Sequence, residues 1–306
     1  MKFLVLYEEL ATYFVNCLNH FAESENCEIL VFSKQINQIA PFEFKQVHKN
    51  ITLLEREKFS EEEIKNKISR FNPDFVYLSG WIFKPYLKYI QHLKLKNVII
   101  GFDNQYNGSL KQRVGALYFQ LKWKPFIKAA FVPGEKQVQF AKKLGFADKF
   151  ISKNVYCCDT KLYNDYYDSA KSKKQEIPKR FLFVGRYVEE KGISDLWKAF
   201  IEIQNENSNE WELWCVGKGP LPPVNHPKIK HLGFVQPTNF LSVIENTGVF
   251  VLPSSFEPWG VVLHEFACAG YPIISTKNVG SCEVFLKDNE NGFLIESNNY
   301  LQLKST

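Results

Sequence analysis

Short apolar runs alternate with longer amphipathic stretches along this chain, and the alternation occurs twice. In the first half the runs lie at 3–7, 28–32, 75–78, 98–102 and 129–132, with helical patterns near 9–22, 61–71, 85–94, 109–122 and 135–144. Apolar strands separated by helices of that length predict βαβ units around a parallel sheet. Asn72-Pro73-Asp74 and Gly145 supply turn and stop signals. Residues 159–179 break the pattern with a charge run and no apolar period, so an interdomain linker is expected there. Strands then resume at 180–184, 212–216, 229–232, 249–252 and 272–275, with helices at 190–204, 237–246 and 259–269. The expected fold is α/β, with two Rossmann-like doubly wound domains, 1–158 and 180–306, facing across a cleft. Ligands of such sheets sit beyond the carboxyl ends of the strands.

A length of 306 residues accommodates two such cores, and 45% hydrophobic with 23% charged residues is ordinary globular composition. No window approaches the ~18 uninterrupted apolar residues of a membrane span. Met1 to Tyr7 is too short for a signal peptide and runs into Glu8-Glu9, so it reads as a first strand. The seven cysteines form no Cys-x-x-Cys pair, which argues for a reducing compartment and against structural zinc or a disulfide framework. Cys157 and Cys158 read as buried strand residues.

The net charge of +5 is unevenly divided. Residues 1–157 carry 23 Lys+Arg against 15 Asp+Glu, and residues 158–306 carry 15 against 18. One basic cluster is Lys84, Lys88, Lys94 and Lys96; another is Lys111, Arg113, Lys122, Lys124 and Lys128. The second interleaves Leu117, Tyr118, Leu121, Trp123 and Phe126. It reads either as a solvated helix face or as a basic amphipathic helix on anionic lipid. The expected location is cytoplasmic, with peripheral contact on the inner face of the membrane. No nucleic-acid module is present, and no nucleic-acid partner is expected.

Residues 256–270 carry the most chemistry. They follow a strand and the Ser254-Ser255 turn, and read as a helix starting near Trp259, with Pro258 at its start and Gly270 as its stop. Glu257 precedes the first turn, and Glu265 lies about two turns in. Between them come the amides of Gly260, Val261 and Val262, at the positive end of the helix. Two acids flanking an anion site suit a ligand with hydroxyls at both ends and a diphosphate in the middle. Glutamates eight apart also occur by chance, but Glu265 sits among Val261, Val262, Leu263, Phe266, Ala267 and Ala269, where an unpaired carboxylate is costly. At the end of the first strand of the second half, Gly185 allows close approach while Arg186 and Lys191 supply two cations. The plainer alternative is that Lys191 forms a surface pair with Glu190 or Asp195.

These pieces, in order, resemble the retaining glycosyltransferases of family 4, which have the GT-B fold. The resemblance covers most of residues 181–296: Phe183-Val184-Gly185-Arg186 with Glu190-Lys191-Gly192, Val216-Gly217-Lys218-Gly219-Pro220, Gly233-Phe234-Val235, Pro253 to Gly260, Glu265, and Asn291-Gly292-Phe293-Leu294. It implies that Arg186 and Lys191 hold a donor diphosphate beside Gly185. It also implies that Glu257 approaches the sugar hydroxyls, aided by the amides of Gly260, Val261 and Val262. Glu265 would bind a ribose diol, and the backbone at Val235 would meet the base. Catalysis would fall to Glu257, Arg186 and Lys191, with no nucleophile from the protein. No cofactor is expected beyond a nucleotide-diphosphate sugar as donor, and no metal, since no Asp-x-Asp motif appears.

The expected acceptor is a glycan or a lipid-linked sugar, with Trp81 and Asp103 as acceptor-side candidates. Two features depart from the family pattern: Tyr7-Glu8-Glu9-Leu10 has no glycine-rich loop, and Leu78-Ser79-Gly80-Trp81 has no histidine. The family also continues with helices past the element matching Asn291 to Leu294, so an end at Thr306 reads as a truncation or a short member. A sugar-nucleotide epimerase of the same fold and a non-catalytic nucleotide-binding subunit are the alternatives.

Overall fold

Alternate residues of the first strand go to opposite sides of a sheet. Leu4 and Leu6 join an apolar cluster with Leu30, Phe32, Val76 and Leu78, while Val5 joins a second with Ile29, Val31 and Tyr77. Burial on both faces is what an all-parallel sheet requires. The structure, a computed structural model, describes residues 1–44, 46–173 and 176–306. It divides into two units: Met1–Asn37 with Phe42–Cys157, and Gln38–Pro41 with Cys158–Thr306.

The first unit has strands β1 (Lys2–Leu6), β2 (Glu28–Ser33), β3 (Ile51–Glu55), β4 (Phe75–Ser79), β5 (Val98–Gly101), β6 (Ala129–Val132) and β7 (Ile151–Lys153). They form a parallel sheet in the order β3-β2-β1-β4-β5-β6-β7. The strand order reverses between β1 and β4, the position where doubly wound sheets open a crevice. Here that position is occupied by the protein's own charges. The Glu8 carboxylate accepts two bonds from the Arg56 guanidinium, at 2.7 and 3.1 Å, and its backbone N–H donates to Ser79 Oγ at 2.8 Å. Arg56 is buried and stacks 3.8 Å from the centre of the Phe83 ring.

The second unit has β8 (Arg180–Val184), β9 (Glu212–Val216), β10 (Ile229–Gly233), β11 (Val249–Leu252), β12 (Ile273–Thr276) and β13 (Gly292–Ile295). Its parallel order is β10-β9-β8-β11-β12-β13, which repeats the pattern of the first sheet with the reversal between β8 and β11. Its core includes Leu182, Phe183, Phe250, Leu252, Leu263 and Phe266.

Several expectations are corrected. Strands β3, β7 and β13 were not anticipated; all three are edge strands, and β7 has only three residues. The expected linker contains the helix Thr160–Lys173, which packs on the helices Leu241–Asn246 and Val261–Cys268. Its buried Tyr163, Tyr166 and Ala170 follow helical spacing, but tyrosine and alanine are a weak apolar signal among charges. Lys174 and Gln175 of that stretch lie outside the described residues. The helix expected at 259–269 is Val261–Cys268, with Trp259 buried ahead of it. The helix expected at 190–204 is a short turn, Glu189–Lys191, followed by Ile193–Glu206. Cys157 and Cys158 lie outside any strand; Cys158 is buried and Cys157 only half-buried.

Candidate functional site

Of the residues singled out in the sequence, Lys191 and Glu257 are brought into direct contact. The Lys191 ammonium donates to the Glu257 carboxylate, and the two side chains are 14% and 13% exposed. Lys191 comes from the loop after β8 and Glu257 from the loop after β11, so the pair sits at the strand reversal of the second sheet. Two backbone features hold the loops together. Gly192 has φ +67°, and a Cβ there would meet the Pro253 carbonyl oxygen at 2.1 Å. The N–H of Ser255 donates to the Glu190 carbonyl at 2.9 Å. The ion pair of Lys191 is thus with Glu257, from a neighbouring strand's loop. Glu190 instead pairs with Arg186 at 3.0 Å, on an open surface where both side chains remain more than half exposed.

Glu257 is fixed from the other side by a segment that sequence reasoning missed. Its N–H donates to Asn278 O at 3.2 Å, and its carbonyl accepts from Gly280 N–H at 3.0 Å. Ser281 Oγ donates to Gly260 O at 2.9 Å. The turn Asn278-Val279-Gly280-Ser281 just after β12 was the available signal. Gly260 caps the helix Val261–Cys268 with φ +86°. Among the described residues, the N–H groups of Gly260, Val261 and Val262 find no acceptor. They remain available for an anion next to the Lys191–Glu257 pair.

Glu265 lies on that helix, half-buried, and burial pushes its carboxyl up to about 7. The Tyr163 hydroxyl nearby offsets part of this, while Cys268 adds to it. Tyr163 belongs to the expected linker, so its place beside Glu265 was not legible. Gly185 ends β8's extension, its N–H donating to Val216 O at 3.0 Å. Val235 lies two residues beyond β10, half-buried against the core.

The acceptor-side candidates are in the first unit. Trp81 packs against Phe102, Phe119 and Phe140, with ring centres 5.3 to 6.0 Å away, and lines a cavity of ≈ 800 Å³ with Lys84, Lys111, Tyr118 and Trp123. Asp103 accepts from Gln137 through its carbonyl at 2.9 Å, and its carboxylate lies near Tyr77 and Tyr156. Among the described residues, Asp103 is not part of the lining of the Trp81 cavity.

Residues 167–305 match the family described as "Glycosyl transferases group 1". The chain is 30% identical over 135 residues to an uncharacterized glycosyltransferase of Methanocaldococcus jannaschii, covering 41% of this chain and 34% of that protein. It is 31% identical over 120 residues to the lipopolysaccharide core biosynthesis glycosyltransferase LpsE of Rhizobium meliloti, covering 37% and 34%. The matched stretch is thus about a third of the length of these relatives. Among solved structures, Anabaena HepE in complex with UDP-glucose superposes with a TM-score of 0.71 at 14% identity, covering 99% of this chain and 88% of that one. WaaG, a glycosyltransferase involved in lipopolysaccharide biosynthesis, gives 0.64 at 12% identity, covering 100% and 89%. Two parallel doubly wound sheets and these likenesses define an α/β GT-B fold.

The raised Glu265 carboxyl has a stability consequence. Between the ordinary glutamate value of 4.5 and about 7 the folded chain holds a proton that the unfolded chain has released. This group's contribution to stability is therefore lost as pH rises through that window. Glu265→Gln mimics the protonated form, so at pH 8 it is expected to stabilise the second unit by roughly 3 kcal/mol, with the gain vanishing near pH 4.5. Denaturant unfolding at both pH values, without nucleotide, measures this; an equal effect at the two would contradict it.

Proposed function

We propose that this protein is a retaining glycosyltransferase of family 4. In this reading it moves a hexose-type sugar from a nucleotide-diphosphate donor to a hydroxyl acceptor in cell-surface polysaccharide or glycan assembly. The observation that carries the proposal is the Lys191–Glu257 pair at the sheet reversal, beside three helix amides with no acceptor among the described residues. The family match over residues 167–305 and the relatives named for glycosyl transfer support it.

Breaking the glycosidic bond leaves negative charge on the departing diphosphate and positive charge on the sugar. Lys191, Arg186 and the amides of Gly260, Val261 and Val262 stabilise the first; being fixed before reaction, they need little reorganisation. Arg186 is exposed and only loosely held by Glu190, so its fork is free to turn onto two phosphate oxygens. Glu257 orients Lys191 and accepts from the sugar hydroxyls. Its carboxylate is committed to that cation, which makes it a poor nucleophile. Retention then follows from attack on the same face, with the leaving phosphate taking the acceptor's proton. With these cations in place, no metal is required. Glu265 accepts from the ribose diol, and the backbone near Val235 faces the base.

The acceptor side involves the first unit. The helix Leu110–Lys122 exposes Leu110, Val114, Leu117, Tyr118 and Leu121, spaced along one stripe, with Lys111, Arg113 and Lys122 alongside. An apolar stripe flanked by cations suits an anionic lipid surface, which would present a lipid-linked acceptor near the Trp81 cavity. Among the described residues, no helix is long and apolar enough to cross a membrane.

Two experiments test this reading. Incubation with candidate nucleotide sugars and acceptors should give a product of retained anomeric configuration by NMR. Lys191→Ala or Arg186→Ala should then lower turnover by about 10²–10³; an inverted product would refute the mechanism. For the membrane contact, the protein should co-sediment with anionic but not zwitterionic vesicles. Binding should fall on raising salt beyond about 0.15 M and on neutralising Lys122, Lys124 and Lys128. Insensitivity to both changes would rule the contact out.

A further inference from the structure

The second unit also holds a group of nucleophilic side chains that the proposed transfer does not use. Cys158 Sγ lies 3.8 Å from Cys268 Sγ and donates to it. Together with a ring nitrogen of His264, these atoms all lie within 4.8 Å of one another. Each member is held in place. Cys158 is buried at the start of the segment leading into helix Thr160–Lys173. His264 is buried, stacks on Phe285 with ring centres 3.9 Å apart, and accepts the Cys158 N–H at Nδ1, 3.4 Å away. That bond leaves the neutral ring's proton on Nε2. Cys268, partly exposed, lies one helical turn after His264 and three residues after Glu265.

The arrangement combines a nucleophile, a polar group that activates it, and a second thiol in contact with it. The Cys158 hydrogen bond, with His264 adding to it, holds the Cys268 thiol below the ordinary cysteine value, which favours its thiolate. Burial has the opposite effect elsewhere: it pushes Cys215 up to about 12 and raises Cys27 and Cys157. Of these four cysteines only Cys268 is shifted toward the thiolate, and the partner needed to close a disulfide already touches it.

We propose that Cys268 and Cys158 form a peroxide-sensitive dithiol that closes to an intramolecular disulfide. In the first step the Cys268 thiolate attacks one oxygen of hydrogen peroxide. An S–O bond forms, the O–O bond breaks, and the departing hydroxide takes up a proton as water. In the second step Cys158 sulfur attacks the Cys268 sulfenic acid. The S–S bond forms, the S–O bond breaks, and the leaving hydroxide takes the Cys158 proton as a second water. Two sulfurs lose two electrons in all, and one peroxide gains them. The bond fastens the first residues of the second unit to the helix bearing Glu265. If Glu265 binds nucleotide as proposed above, oxidation also alters nucleotide affinity, but the dithiol chemistry itself does not depend on that reading.

The test is to treat the full chain with stoichiometric hydrogen peroxide, block remaining thiols by alkylation, and map the peptides. Cys268 should be lost at least about tenfold faster than Cys157, whose thiol burial raises, as thiolate fraction dictates. A 158–268 linked peptide should appear and disappear again on reduction. In Cys158→Ser the Cys268 sulfenic acid should accumulate and be trapped by dimedone, and His264→Gln should slow alkylation of Cys268 at pH 7 without affecting Cys17. Equal oxidation of Cys157, or no linked peptide in the unmutated chain, would overturn the proposal. So would a stoichiometric zinc ion that protects both thiols and is lost in Cys268→Ser, which would make the trio a metal site.

Discussion

The contact between Lys191 and Glu257 places two opposite charges largely out of water at the strand reversal of the second sheet. Either charge alone would be costly there, so each depends on the other and on loops held rigidly in place. The local backbone is consistent with that demand. Gly192 lets the β8 loop approach the Pro253 carbonyl more closely than any side chain would allow. The segment Asn278–Ser281 bonds to Glu257 and Gly260, so the loop after β11 is held from the β12 side as well. In the proposed reading, a diphosphate arriving here would meet a cation already oriented and helix amides already aimed, which is the physical content of preorganisation.

The two sheets share a strand order but treat their reversal points differently. In the first unit Glu8 and Arg56 close the position with a bidentate pair, and Ser79 takes the Glu8 N–H. In the second unit the amides of Gly260, Val261 and Val262 stay without partners among the described residues, and the half-buried Glu265 follows on the same helix. The asymmetry is why the proposed anion site lies in the second unit.

Much of the fold was legible because its signals are local. Central strands such as β6, β8, β9 and β11 are continuous apolar runs with turn residues at their ends, and their bounds agree with the sequence reading. Edge strands β3, β7 and β13 were not, because a short edge strand carries little apolar pattern. Helix Thr160–Lys173 was read as linker because its buried face is made of tyrosine and alanine among charges. For the candidate site, the residue types at 186, 191, 257 and 265 pointed to anion and hydroxyl binding, but not to which charges pair. That Lys191 reaches Glu257 rather than Glu190 or Asp195 depends on β8 and β11 being neighbours, a long-range fact. The thiol pair was equally hidden, since Cys158 and Cys268 are 110 residues apart in sequence.

The central claim is that the second unit binds a nucleoside diphosphate through Lys191 and Glu265, and calorimetry tests it most directly. UDP and GDP would each be titrated into wild type, Lys191→Ala and Glu265→Gln at pH 6.5, in buffers of different ionisation enthalpy. A diol donating to the Glu265 carboxylate favours its charged form, so binding should release a proton in wild type and none in Glu265→Gln. The account predicts that one nucleotide binds, that Lys191→Ala weakens it at least about tenfold through the lost charge-assisted contact, and that the proton release vanishes with Glu265. Binding of neither nucleotide, or equal binding by all three proteins without proton release, would contradict it.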